Sequence, residues 1–287
     1  MRSETQMMEQ ILAFARQDER VRAVGMEGSR LNPKALKDEF QDFDITFLVT
    51  EMEPFKASDS WLDAFGPRRM MQKPEAMALF PPELGNWFSY LILFADGRRM
   101  DLTLVPLEEL PLYLQSESLL TIILDKDGLV PKPPVPSDAS FCLEKPSVAF
   151  YDDCCNDFWY TAGYVARGLC RKETLFAAAH LNEIVRPNLL RMIRWQVGIE
   201  TGFTANTGKA DKYLQGYLSA DHWEKLLATY RNDSQQALWQ ALFGVLSLFR
   251  EFSQRVGEQL GYRYPDYDEA MTPYLEGLAE RFGEAEG

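Results

Sequence analysis

The sequence predicts an α+β protein, in which a domain of strands and flanking helices is followed by an all-helical domain. In the first half of the chain, apolar and polar residues alternate in several short runs, which is the period of β-strands. From Ser147 onward the apolar spacing is helical. Between these parts, residues 124–140 (LDKDGLVPKPPVPSDAS) are dense in Pro, Gly and Asp, which is typical of a boundary. We therefore predict domains at residues 1–136 and 137–287.

The first domain begins with a predicted helix and a predicted strand. Apolar residues within segment 4–19 recur at the spacing of one helix face, which indicates an amphipathic helix. Residues 21–27 then predict a short strand that ends at a Gly28-Ser29 turn.

A second strand is predicted around two aspartates that lie one residue apart. Its residues alternate between two sets, one of Phe43, Ile45, Phe47 and Val49, the other of Asp42, Asp44, Thr46 and Leu48. Because strand side chains point alternately to opposite faces, the first set should enter the core and both aspartates should share the other face.

Residues 87–105 predict a β-hairpin, because two β-rich runs flank Asp96-Gly97, a strong two-residue turn signal. On its second strand, Asp101 should lie on the face opposite Met100 and Leu102.

The second domain is predicted to be helical throughout. Helical patterns cover residues 147–198 and recur near 221–230, 235–260 and 268–282. Pro187 lies inside the first pattern and should kink it or start a new helix, since proline has no backbone N–H.

Composition limits the function classes. The chain has 287 residues, 46% of them hydrophobic, and a formal net charge of −13. Such acidity disfavours nucleic acid and favours cationic partners. The sequence has no apolar run long enough to span a membrane and no signal-peptide pattern at its start, so we expect a cytoplasmic protein. The four cysteines and two histidines lack the spacing of a zinc site.

Asp42 and Asp44 raise the question of what neutralises them. Two carboxylates on one strand face raise each other's pKa unless a cation lies between them. Hard cations such as Mg²⁺ take carboxylate oxygens together with substrate phosphates. If the strand of Asp101 neighbours that of Asp44, three carboxylates converge, and the third could also act as a general base. The alternative is a solvated strand face.

The Gly28-Ser29-Arg30 turn precedes this strand. A glycine allows close approach of backbone to a phosphate, the Ser29 hydroxyl can donate to it, and Arg30 can add charge. The alternative is an ordinary turn, and no Walker A pattern is present. The features follow one another as a strand, Gly-Ser, D-x-D on a strand and an Asp on a later strand. This order is similar to that of polymerase-beta-like nucleotidyltransferases.

Beyond the superfamily, the chain resembles the aminoglycoside 6-adenylyltransferases, or streptomycin adenylyltransferases. Five stretches carry the resemblance: EGSRLNP (27–33), FQDFDITFLV (40–49), FPPELGNWFSYLILFADGRRMDLTLVP (80–106), VRPNLLRMIRWQVG (185–198) and GYRYPDYDE (261–269). The resemblance implies Mg²⁺-dependent transfer of AMP from ATP to the 6-hydroxyl of streptomycin, with release of pyrophosphate. It also implies a mixed β-sheet with helices in the first domain and a helical substrate-binding domain after it.

The resemblance assigns roles residue by residue. Asp42, Asp44 and Asp101 would be the metal-binding and catalytic carboxylates, and Gly28 and Ser29 the phosphate-binding turn. The residues themselves agree in one respect, because an acidic protein suits a polycationic drug.

Segment 151–173 predicts a helix with a polar stripe. Asp153, Asp157 and Tyr160 follow one another at three- and four-residue steps, so they share a face. This face either lies in water or binds the drug through its carboxylates and tyrosine. Glu83 is another candidate drug contact, or else a residue at a helix start.

Two rival functions stay open. One is a nucleotidyltransferase that modifies another small-molecule or protein hydroxyl. The other is a catalytically silent nucleotide-binding protein. In such a protein, three clustered carboxylates would destabilise the fold by charge repulsion without serving catalysis. The oligomeric state, the nucleotide preference and the identity of the general base are left open by the sequence.

Overall fold

A computed structural model describes residues 1–283 of the chain. These residues form two compact units that divide between Ser140 and Phe141. The first unit combines a sheet with helices and the second contains helices and no strand among the described residues, so the predicted α+β fold class is confirmed.

The described part of the first unit contains a six-stranded mixed sheet. Its strands are β1 Val21–Glu27, β2 Phe43–Val49, β3 Arg68–Gln72, β4 Phe88–Phe94, β5 Arg99–Pro106 and β6 Leu120–Asp125. Their order across the sheet is β3-β4-β5-β2-β1-β6. Only β2 and β5 pair in parallel, and the other neighbours among these strands are antiparallel.

Helix α1 (Glu4–Gln17) covers one face of this sheet. Its start is fixed by a capping box, in which the Ser3 hydroxyl accepts from the Gln6 amide and the Gln6 side chain accepts from the Ser3 amide. The helix packs Met7 and Ile11 against fully buried Phe43, Phe47 and neighbouring apolar side chains. Each such burial stabilises the fold by about 1.5–3 kcal/mol.

The predicted helix, both predicted strands and the hairpin are confirmed, and the hairpin turns at Asp96-Gly97, where Gly97 has a φ of +88°. Strands β3 and β6 were not predicted. β6 extends to Asp125 and so includes the first two residues of segment 124–140, whose composition indicated a boundary. A short apolar run such as LTIIL is compatible with a strand and with the end of a loop. Only its pairing with another strand in the folded protein decides between the two.

Short helices complete the first unit, namely α2 Glu53–Ala57 and α3 Leu110–Tyr113, together with single 3₁₀ turns. On the sheet face away from α1, Tyr113 packs with Ala23, Leu48 and Val105 in a smaller apolar cluster.

The second unit contains the remaining helices. They are α4 Val148–Cys170, α5 Thr174–His180, α6 Arg186–Glu200, α7 Ala220–Ala228, α8 Gln235–Leu260 and α9 Tyr267–Phe282. A π-helical turn, Leu181–Val185, joins α5 to α6, and Pro187 lies in the first turn of α6. The backbone stays helical from α5 through this turn into α6, so proline directly follows a π-helical turn within a continuous helical segment and does not start a separate helix. Across the described chain, no helix is both long and apolar enough to cross a membrane.

Candidate active site

Three acidic residues form a row across adjacent strands of the sheet. In the antiparallel pair β1–β2, Glu27 lies opposite Asp44, and in the parallel pair β2–β5, Asp44 lies opposite Asp101. Neighbouring strands are about 4.8 Å apart, so these side chains leave the same face close together. Asp42 directly precedes β2 and adds a fourth carboxylate two residues from Asp44.

The electrostatics of this row are unfavourable without a cation. Burial, together with the nearby charges of Asp101 and Asp42, raises the pKa of Asp44 to about 6. The side chains of Asp42 and Asp101 are 29% and 30% exposed, so the cluster opens to solvent. The site thus holds carboxylates that gain from any cation placed among them.

The glycine of the Gly-Ser turn lies directly against Asp44. Gly28 has a φ of +74°, a conformation that residues with side chains rarely adopt, and a Cβ there would lie 2.3 Å from Oδ2 of Asp44. Its amide donates to the carbonyl of Leu119 on the far side, at 2.9 Å. The structure therefore brings the turn and the D-x-D strand together, and only glycine fits between them.

Ser29 follows this glycine as the second residue of the 3₁₀ turn Gly28–Leu31. The side-chain amide of Gln41 donates to the Ser29 carbonyl at 3.3 Å and lies 3.4 Å from its hydroxyl. Ser29 is half-buried and lies on the same edge of the sheet as the carboxylates.

Arg30 has a different environment from the one its sequence position suggested. Its guanidinium donates to the carbonyls of Gln41 and Asp42, each at 2.8 Å, and lies 3.6 Å from the centre of the Phe43 ring. It also pairs with Glu4 at 3.1 Å, and its side chain is only 4% exposed. Arg30 thus fixes the backbone that carries Asp42, and its charge is enclosed rather than presented to a phosphate.

Arg99 is a site residue that sequence reasoning missed. Its Nη1 lies 3.2 Å from Oδ2 of Asp42, and its Nη2 lies 3.5 Å from Oδ1 of Asp101. Strand periodicity could have predicted that Arg99 lies near Asp101, because residues two apart on a strand share a face.

Glu27 and Tyr113 form a second missed feature. The Tyr113 hydroxyl donates to the Glu27 carboxylate, and burial raises the pKa of Glu27 to about 7 despite this bond. Tyr113 can reach Glu27 because residue 25 is glycine. A Cβ at residue 25 would lie 1.6 Å from the Tyr113 hydroxyl oxygen. Glu27 directly precedes Gly28, so this pair fixes the entry to the turn.

The carboxylates suit a hard divalent cation by their chemistry, since all donors are oxygen. Among residues 1–283, however, no three His, Cys, Asp or Glu side chains are already gathered around one point. Because Arg99 lies between Asp42 and Asp101, its side chain would have to move before these oxygens could close around a metal.

The predicted drug contacts lie on other segments of the chain. Asp153, Asp157 and Tyr160 lie on α4 and are exposed, with 64% of Tyr160 accessible. Asp157 accepts a hydrogen bond from the Asn188 side chain at 2.8 Å, which ties it to α6. Glu83 is exposed in the irregular loop before β4, so the alternative that it starts a helix was wrong.

Comparisons with known proteins agree along nearly the whole chain. Residues 1–278 match the streptomycin adenylyltransferase family. Aminoglycoside 6-adenylyltransferase of Bacillus subtilis (strain 168) is 50% identical over 279 residues, which cover 97% of this chain and 98% of that protein. The Campylobacter jejuni enzyme of the same name is 47% identical, with coverage of 99% and 98%.

A third relative and a solved structure are also similar. The Staphylococcus aureus aminoglycoside 6-adenylyltransferase is 40% identical, with coverage of 96% and 98%. A crystal structure of an aminoglycoside 6-adenyltransferase from Bacillus subtilis is 46% identical and covers 97% of this chain and 99% of that one, with a TM-score of 0.49. On the family match over residues 1–278 and the identities of the three relatives, the chain belongs to the streptomycin adenylyltransferase family.

Proposed function

We propose that this protein transfers AMP from ATP to a hydroxyl of an aminoglycoside, with the 6-hydroxyl of streptomycin as the preferred acceptor. The observation that carries the proposal is the packing of the Gly28 turn against Asp44, in register with Asp101. This arrangement supports a site that takes phosphate on the turn and a cation on the carboxylates. The names of the full-length relatives support the same chemistry.

The reaction needs one bond formed and one broken. The drug hydroxyl oxygen attacks the α-phosphorus of ATP, the bond from that phosphorus to the β-phosphate oxygen breaks, and pyrophosphate leaves. The hydroxyl proton passes to a carboxylate, for which Asp101 is our candidate because its side chain is 30% exposed. Glu27 is less suited, since its carboxylate is tied to the Tyr113 hydroxyl.

Asp42, Asp44 and Asp101 are the residues we propose to hold Mg²⁺. When bound, the ion neutralises charge on the phosphates and on the leaving oxygen. The residues of the chain do the rest. Gly28 lets the nucleotide approach the backbone, the Ser29 hydroxyl donates toward a phosphate, and Arg30 holds the Asp42 backbone in place. Arg30 is not proposed as a direct phosphate ligand, since its guanidinium is enclosed.

For the drug, we propose the exposed α4 face that carries Asp153, Asp157 and Tyr160. Streptomycin bears two guanidinium groups and an amine, which carboxylates and tyrosine rings recognise by charge and cation–π contact. Tyr160 stacks edge-on with Tyr164 at 5.4 Å between ring centres, so an aromatic surface already adjoins the acids. Glu83 is proposed as a further acidic contact. The net charge of −13 favours such a substrate over nucleic acid.

The test is pyrophosphate release from ATP and Mg²⁺ with and without streptomycin. We expect release that requires the drug and is lost in Asp42→Ala. The matched control is Asp38→Ala, an exposed aspartate four residues earlier, which should retain activity. Release with another acceptor but not with an aminoglycoside would establish a different nucleotidyltransferase. ATP binding with no release for any acceptor would establish a silent nucleotide-binding protein. NMR of the modified drug identifies which hydroxyl carries AMP.

A further inference from the structure

Arg99 holds a position that a bound cation would otherwise take. It is the first residue of β5, and its guanidinium bridges Asp42 and Asp101 at 3.2 and 3.5 Å. These two aspartates come from segments that are distant in the chain and that meet through the parallel pairing of β2 and β5. The bridge is therefore a product of the fold.

The Arg99 side chain is held less firmly than that of Arg30. The side chain of Arg99 is 49% exposed, whereas that of Arg30 is 4% exposed and enclosed by carbonyls, Glu4 and the Phe43 ring. Exposed ion pairs contribute little to stability and exchange readily with solvent and ions. Arg99 can therefore leave the carboxylates by side-chain rotation, while Arg30 cannot.

A divalent ion and the Arg99 guanidinium compete for the negative charge of the same carboxylates. A divalent ion at Asp42, Asp44 and Asp101 would displace Arg99 by competition and by charge repulsion. A displaced guanidinium at the edge of the cluster would meet the phosphates of the nucleotide, with which arginine forms strong, paired hydrogen bonds.

We propose that Arg99 is an exchangeable internal counter-ion. In the nucleotide-free protein it neutralises Asp42 and Asp101, and when the metal and nucleotide bind it moves from the carboxylates to a phosphate. The inference rests on one part of the proposed function, namely that a metal ion and a nucleotide bind at these carboxylates. It does not depend on which acceptor receives AMP.

The proposal predicts opposite effects of one substitution on two ligands. Without Arg99, a metal alone has no competitor, so Arg99→Gln should bind Mn²⁺ about threefold to tenfold more tightly, as expected for removal of one nearby positive charge. The same variant lacks the guanidinium that we propose binds a phosphate of ATP. Its affinity for ATP with Mg²⁺ should therefore fall about tenfold or more, as for loss of a charge-assisted hydrogen-bonded pair. A merely structural residue would not move the two affinities in opposite directions.

The experiment is a calorimetric titration of the purified protein with Mn²⁺ alone and, separately, with ATP at saturating Mg²⁺, without aminoglycoside. Arg69→Gln is the matched control, because Arg69 is also an exposed arginine on the sheet, on β3, and donates only to the Ala95 carbonyl among its described contacts. It should change neither affinity. Arg99→Lys keeps the charge, so its affinity for Mn²⁺ should stay close to the wild type. Its affinity for ATP should fall less than that of Arg99→Gln, because lysine keeps the charge but cannot form the paired hydrogen bonds of arginine.

Unchanged or weaker Mn²⁺ binding by Arg99→Gln would overturn the counter-ion role. Unchanged ATP binding would overturn the phosphate role. If opposite shifts are found while streptomycin is not adenylylated, the inference stands and the acceptor in the proposed function is wrong. If the wild-type protein binds neither ligand, both proposals fail together. Circular dichroism of each variant shows whether it is folded before it is titrated.

Discussion

Oδ2 of Asp44 lies 2.3 Å from the point where a Cβ on residue 28 would stand, so Gly28 and Asp44 fix each other's positions. The turn cannot acquire a side chain without moving the central carboxylate of the row. Because Asp44 lies opposite both Glu27 and Asp101 in the sheet, its carboxylate would then move relative to both of these acidic side chains. The phosphate end and the cation end of the proposed site are thus one structural unit.

Gly28→Ala should abolish most of the transfer activity. The φ of +74° adds strain of about 1–3 kcal/mol for a residue with a side chain, and the methyl group displaces the Asp44 carboxylate. A misplacement of about 1 Å can cost about a hundredfold in rate, and we expect at least that loss in pyrophosphate release.

The control for this substitution is Gly128→Ala. Gly128 has a similar φ of +67°, but no atom lies within 4 Å of the point where its Cβ would stand, so only backbone strain is added. It should lose stability and keep its activity. Equal loss of activity in both variants would contradict the steric role of Asp44.

Asp44→Asn should stabilise the metal-free protein while removing its activity. Burial and the charges of Asp101 and Asp42 raise the pKa of Asp44 to about 6, so the ionised form that it takes at pH 8 is held at a cost. Removing the charge should therefore raise the free energy of unfolding by about 1–2 kcal/mol, measured by urea denaturation at pH 8 without divalent ions.

Asp125→Asn is the opposite case. Backbone amides, including that of Val130 at 2.8 Å, donate to the Asp125 carboxylate, and together they outweigh burial and lower its pKa. That variant should be no more stable than the wild type. A loss of stability in Asp44→Asn would show that the charge cluster is already compensated in the metal-free protein.

Tyr113→Phe should lower both stability and activity. It removes one hydroxyl that donates to the half-buried Glu27 carboxylate, beside that of Thr46, at a cost of about 1–3 kcal/mol in the free energy of unfolding. Glu27 precedes Gly28, so its release should also loosen the turn and reduce kcat for transfer. Both quantities are measured on the same preparation, by urea denaturation and pyrophosphate release.

Tyr90→Phe provides the comparison, because Tyr90 is fully buried on the other face and its hydroxyl donates to the Phe55 carbonyl at 3.0 Å. It should cost about 0.5–1.5 kcal/mol in stability and leave kcat unchanged. If Tyr113→Phe keeps the wild-type kcat, Glu27 does not position the turn.

In the second unit, the Asp268–Arg250 pair should make stability fall in acid. Burial would raise the pKa of Asp268, but hydrogen bonds from Arg250 at 2.5 and 2.7 Å and from Thr272 at 2.6 Å outweigh it and lower that pKa. A carboxylate with a lowered folded-state pKa stabilises the fold above its unfolded pKa of 3.8, and this contribution is lost as pH falls through the folded-state pKa.

Asp268→Asn tests this linkage. The variant should be less stable than the wild type by about 1–3 kcal/mol at pH 6, as for hydrogen bonds to a charged group, and the difference should shrink below pH 4. Unfolding is followed by circular dichroism, which reports the helices that the pair joins, α8 and α9. A difference that is independent of pH would mean that the carboxylate charge contributes nothing.

Asp153→Lys should raise KM for streptomycin and leave KM for ATP unchanged, because we propose that this exposed carboxylate binds a drug cation. Glu258→Lys, an exposed position on α8 with the same change in charge, should alter neither constant. Equal effects on both substrates would contradict a drug-specific role for this face of α4. Steady-state kinetics with each substrate varied in turn give both constants.

The sequence by itself determined the elements whose signals are local. Alternation over 43–49 defined which side chains of β2 face α1, although Thr46 and Leu48 on the other face are buried as well. Asp96-Gly97 defined the hairpin, and helical spacing defined the second unit. These features depend on neighbours within a few residues, so a single chain displays them. The full-length resemblance then identified the family.

Only the tertiary structure decided which charges meet. Parallel pairing of β2 with β5 sets Asp44 opposite Asp101 and brings Arg99 to Asp42, while Arg30, the arginine next to the turn, is enclosed by backbone carbonyls. Tyr113 reaches Glu27 from 86 residues away. Strand order and register depend on contacts between distant segments, and no local pattern encodes them. The aspartates and the Gly-Ser turn were therefore visible in the sequence, but Arg99, Glu27 and Tyr113 were recognised only in the tertiary structure.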